Sequence, residues 1–156
     1  MGYTHYWYLN TNPEKRAELC SKFDLAINDI DKVLPKLKKL CGNGLDFDAL
    51  NSTEISFNGK YGEEYETFAV AAHNPDDARS RERGGAFGFC KTAHKPYDLA
   101  VCVCLIILKA HLGDLIKVTS DGEMDVSVGG AEWTGAVRFV EEHFKSLRVY
   151  VDKQLG

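Results

Sequence analysis

No apolar stretch among these 156 residues is long enough to cross a bilayer. The longest, Leu99–Leu108, falls well short of the roughly 20 residues that a spanning helix needs, and it reads as a buried core helix. The opening MGYTHYWYLN has no basic segment followed by an apolar one, so no secretory signal is expected and a cytoplasmic protein is. Excess positive charge is missing too. A formal net charge of -4 argues against a protein that coats extended nucleic acid or an anionic membrane, so any anion site must come from a local patch. The five cysteines, Cys20, Cys41, Cys90, Cys102 and Cys104, include no CxxC pair and no zinc-ribbon spacing, and all read as free thiols. Cys102 and Cys104 fall inside the apolar run, where cysteine behaves as a small hydrophobe.

Catalytic signatures are equally sparse. The chain has no P-loop, no GxSxG and no HExxH. Asp121, Glu123 and Asp125 alternate around a turn without the calcium-loop pattern, and His143 has no ligand partner four residues on. Neither a metal nor a cofactor is expected from these spacings.

What is present suits one domain over residues 1–156, because no repeat, low-complexity tract or linker divides the chain. YTHYWYL reads as a strand with Tyr3, His5, Trp7 and Leu9 on one face and Thr4, Tyr6 and Tyr8 on the other. Asn12 and Pro13 suit a helix start. Cys20, Phe23, Ile27, Ile30, Leu34 and Leu37 then form an apolar stripe at helical spacing; Pro35 should kink or interrupt that helix, and Gly42 should stop it. Strands are expected around Glu54–Asn58, Glu66–Ala72 and Ala86–Lys91, with a hairpin about Asp121 and Gly122. Residues 73–86 read as a mobile surface loop. A last helix carries Trp133, Val137, Val140, Phe144 and Leu147. The fold class is therefore α+β: a single domain with a mostly antiparallel sheet and about three packed helices.

The candidate site lies at FCKTAHKPYD, residues 89–98, just ahead of the apolar run. With Pro96 as the first helical residue, Lys91, Thr92, His94 and Lys95 surround a helix N-terminus, whose free N–H groups and dipole favour an anion. Tyr97 can stack or donate, whereas Asp98 can cap the helix itself and so weaken an anion placed there. From the first strand, His5 and Tyr6 keep polar tips suited to a base or sugar, and Trp7 is assigned to the core. Arg79, Arg81 and Arg83 can grip phosphate from the long loop, although Asp76, Asp77 and Glu82 neutralise the same stretch.

YTHYW, FCKTAHKPYDLAV and VTSDG resemble a family of uncharacterised proteins of bacteriophage genomes, with some bacterial members, over residues 3 to about 122. Those proteins commonly carry Y-T-H-Y-W and F-C-K-T-A-x-K-P-Y-D. The family brings no established activity, and arginine is expected more often than histidine at position 94. The resemblance implies a host cytoplasm and an accessory or anti-defence role, a context that favours a nucleotide-derived ligand.

Three readings follow. The first is binding or sequestration of a small anionic, nucleotide-like ligand. The second is metal-independent phosphodiester or nucleotide hydrolysis with His5 and His94 as acid and base. The third is a protein-binding module that uses the apolar stripe. Self-association is open, since symmetric dimers are common and nothing in the residues requires one.

Overall fold

The aromatic opening folds as β1 (Thr4–Leu9), with its side chains alternating as the pleat requires: His5, Trp7 and Leu9 are buried and Tyr8 is exposed. The structure, a computed structural model, describes residues 3–72, 87–121 and 133–144. Residues 73–86, with Arg79, Arg81 and Arg83, lie outside the described residues, as do Gly122, Glu123, Asp125 and Leu147.

Asn12 caps a 3-10 turn (Pro13–Lys15) by accepting from the Glu14 N–H at 3.3 Å, and α1 (Arg16–Leu40) continues from it. Pro35 does not interrupt α1. It sits on the exposed face with Asp31, so the carbonyl that loses its helical donor faces water rather than the core. Gly42, at φ +57°, follows the end of the helix in the left-handed region that glycine adopts without steric cost. The strands β2 (Leu45–Asn51), β3 (Glu54–Gly59) and β4 (Phe68–Ala71) form one antiparallel sheet in that order. β2 has no counterpart among the expected strands, although Leu45 and Phe47 alternate with Asp46 and Asp48.

The second sheet has the order β5–β1–β6, with β5 at Phe87–Lys91 and β6 at Ile116–Ser120, again antiparallel throughout. The fold is α+β with antiparallel strands and, among the described residues, three helices, as expected, and its strands form two three-stranded sheets. The remaining helices are α2 (Asp98–Leu112) and α3 (Thr134–His143). α2 is buried on every side from Ala100 to Lys109, which marks it as the central helix of the domain. α1 and α3 pack on it, and residues from both sheets and all three helices share one continuous hydrophobic core. The α1 stripe is spent inside that core: Phe23, Ile27, Ile30, Leu34 and Leu37 are buried together with Leu19 and Val33, and Cys20 is half-buried against them. No helix among the described residues is long and apolar enough to cross a membrane.

Trp7 fixes the join between β1 and β5. Gly88 is its direct cross-strand partner, and a Cβ on Gly88 would overlap the Trp7 indole nitrogen. Gly88→Ala is expected to lower stability by about 1–3 kcal/mol in a denaturant titration, the usual cost of overpacking a filled site. A neutral result would mean that the indole can move aside.

Candidate functional site

β1 is the middle strand of its sheet, so its two faces divide the candidate residues into two groups. Opposed residues in an antiparallel pair share a face. On the outer face Thr4 opposes Lys91, Tyr6 opposes Phe89 and Tyr8 opposes Phe87. The rings lie in sequence, Tyr8 to Phe87 at 4.8 Å between centroids and Phe87 to Phe89 at 5.9 Å, with Tyr6 parallel to Phe87 at 6.3 Å. Tyr8 and Phe89 are each 52% exposed. The aromatic row thus runs along the sheet, and by register Lys91 is the next residue of β5 on the same face. Sequence reasoning found Tyr6 but missed Phe87 and Phe89, although their alternation with Lys91 was a usable signal.

His5 lies on the inner face and is fully buried. Its Nδ1 is 2.7 Å from Ser120 Oγ and its Nε2 is 2.6 Å from Asp98 Oδ1. The same Asp98 oxygen accepts from the Thr92 hydroxyl at 2.6 Å. Cys102 Sγ lies 3.6 Å from both His5 Nε2 and Asp98 Oδ2. Trp133 stands edge-on to His5 at 5.1 Å and donates through Nε1 to Ser120 Oγ at 3.4 Å. Burial pushes the Cys102 thiol well above its ordinary value, and the Asp98 carboxylate adds to that.

Between the two faces runs the turn at 92–95. Tyr3 O accepts from Thr92 N at 3.0 Å and Ala93 N at 3.4 Å, and Lys95 N bonds back to Thr92 O at 3.0 Å. Ala93 and His94 sit at φ +52° and +59°, a left-handed conformation that costs a non-glycine residue about 1–2 kcal/mol. Exposed His94 stacks on Tyr3 with centroids 3.7 Å apart. Asp98 N bonds to Lys95 O at 2.9 Å, so α2 begins at Asp98 rather than at Pro96. The anion at the helix start is thus the chain's own Asp98 carboxylate, held from inside by His5 and Thr92.

That arrangement sorts the expected residues. Thr92 and Tyr97 are fully buried. The Tyr97 hydroxyl donates to Glu66 O at 2.6 Å, so both hydroxyls build the turn. Lys91, His94 and Lys95 remain at least partly exposed, and neither lysine has an ion-pair partner among the described residues. Lys91 Nζ lies 5.8 Å over the Tyr65 ring. His5 and His94 both touch Tyr3, one edge-on at 4.9 Å and one stacked, but His5 presents no tip to solvent.

Comparison with protein-family models, curated proteins and solved structures found no match. A cleft of about 460 Å³ on the other sheet is lined by Asp46, Asp48 and Glu64, with Lys60 as its one cation. Its charge suits no anion, which leaves the aromatic row and the Lys91 turn as the better candidate.

Proposed function

We propose that the protein binds a small anionic, nucleotide-like ligand on the outer face of the β5–β1–β6 sheet. The observation that carries this reading is the shared face of the aromatic row and Lys91. A base or other flat ring stacks on Tyr6 and Phe89, and the phosphate meets Lys91, with His94 and Lys95 on the turn that follows. Stacking on aromatic side chains tolerates any base, and lysine supplies a point charge to phosphate. Sequestration of such a ligand fits the phage context that the sequence resemblance implies.

The burial of His5 favours binding over hydrolysis. A general base must reach the proton it takes, and both nitrogens of His5 are held by Ser120 and Asp98. The buried α1 stripe likewise offers no surface for a protein partner.

Thermal shift and calorimetry across nucleotides, cyclic dinucleotides and ADP-ribose derivatives test the reading, with each compound recovered and analysed afterwards. The compound is expected back intact. Phe89→Ala and Lys91→Ala should each weaken binding about 5–150-fold, equivalent to about 1–3 kcal/mol, without lowering the melting temperature. Unchanged affinity in both variants would refute the site, and a hydrolysed product would move the assignment to catalysis.

A further inference from the structure

We infer that His5, Asp98 and Cys102 form a zinc site that ties β1 to the start of α2. The inference is independent of the nucleotide-like reading, because it rests on the inner face of the sheet. One imidazole nitrogen, one carboxylate oxygen and one sulfur from these residues all lie within 4.8 Å of one another. Asp98 and Cys102 are four residues apart on α2 and so point the same way. His5 reaches them from 93 residues upstream.

The separations suit the ion. Zinc holds nitrogen at about 2.0–2.1 Å, oxygen at about 2.0–2.2 Å and thiolate sulfur at about 2.3 Å, so tetrahedral sulfur–nitrogen and sulfur–oxygen edges come to about 3.6 Å. Cys102 Sγ is 3.6 Å from His5 Nε2 and 3.6 Å from Asp98 Oδ2. The 2.6 Å contact between Nε2 and Oδ1 is a hydrogen bond. Zinc replaces it by taking the Nε2 lone pair and Oδ2, and Oδ1 stays with the Thr92 hydroxyl.

The surrounding groups are those that orient metal ligands. A metal-bound histidine donates its other ring N–H to an outer acceptor, and ligating carboxylates are themselves hydrogen-bonded. Ser120 Oγ stands at Nδ1 and Thr92 Oγ1 donates to Asp98. With Nδ1–H directed at Ser120, the Nε2 lone pair faces Cys102 and Asp98. The Asp98 side chain is 15% exposed, against 0% for His5, so the ion arrives past the carboxylate. On binding, His5 gives up the Nε2 proton of its hydrogen bond to Asp98 and holds its ring proton at Nδ1 toward Ser120, while the Cys102 thiol proton leaves to solvent and the thiolate coordinates. Three protein donors leave the fourth position to water. A mixed nitrogen, oxygen and sulfur set suits zinc better than calcium or magnesium, which take oxygen alone.

The test uses the full chain without a histidine tag, stripped with a chelator and titrated with zinc and, separately, cobalt. About one ion should bind per chain, and the cobalt form should show tetrahedral visible absorption with a sulfur-to-metal charge-transfer band. Cys102→Ala should remove that band, whereas Cys104→Ala, two residues along the same helix and outside the cluster, should keep it. Ser120→Ala should weaken metal binding about 10–100-fold. Retention of no metal overturns the inference, as does a cobalt spectrum lacking the thiolate band, which would place the ion among oxygens such as those of the acidic cleft. A band that survives Cys102→Ala overturns it equally. If Cys102→Ala does not fold, the cobalt spectrum of the unmutated chain decides alone.

Discussion

At pH 10 the protein is expected to be about 4 kcal/mol less stable than at pH 8. Burial raises the Cys41 thiol from 9.0 to about 11 and Cys90 to about 12, and lifts Cys104 further still. In the unfolded chain these thiols lose their protons from about pH 9 upward, while the folded chain keeps them. Alkali therefore favours the unfolded state, and the stability is lost as pH rises toward the folded values. At pH 10 each of the three contributes about 1.4 kcal/mol, one pKa unit's worth. Cys102 and Tyr97, also raised by burial, add in the same direction. Lys109 acts oppositely, since burial lowers its ammonium, but it is one group against five. Losses of this size take most of the stability of a marginal domain. Urea titrations at pH 8, 9 and 10 measure it; a midpoint that does not move would mean that the thiols are solvated in the folded state.

Asp98→Ala is expected to cost about 2–5 kcal/mol in the chelator-treated protein, the range for leaving the buried donors of His5 and Thr92 without their acceptor. One carboxylate accepts from His5 and Thr92 and lies against the Cys102 thiol, and all three of those residues are fully buried without access to water. Removing it leaves several polar groups unsatisfied at about 1–3 kcal/mol each. Asp98→Asn keeps an accepting oxygen and should lose roughly half as much. The two midpoints in urea, at unchanged slope, separate hydrogen bonding from packing. A loss of less than about 1 kcal/mol for Asp98→Ala would mean that the cluster adds little to stability.

Local rules carried much of the fold. Alternation in YTHYWYL assigned Trp7 to the core, Asn12 and Pro13 marked the helix start, and the run at Leu99–Leu108 announced the buried helix. Pro35 was harder, because its effect depends on which face of α1 it occupies, and that face is set by tertiary packing. The site was legible only in part. Lys91, His94 and Lys95 stand out by charge, but Asp98 reads as a helix cap and Cys102 as a hydrophobe until β1 is placed beside α2. His5 reads as a ligand residue for the same reason: nothing local says that Ser120, 115 residues on, will meet its ring. Such pairings are decided by sheet register, which no short window contains.

The position of β1 also sets a timetable for synthesis. Its partners arrive late, since His5 pairs with Cys90 on one side and Ser120 on the other. At translation speeds of about 5–20 residues per second, the first strand waits about 6–23 s before both neighbours have been made. Until Lys91 has been made the aromatic strand has both edges open, and until Ser120 follows one edge is still open, the state most prone to pair with another chain. Nascent copies on a crowded message therefore carry a risk that the finished protein does not, and slowing the ribosome before residue 120 should raise the insoluble fraction.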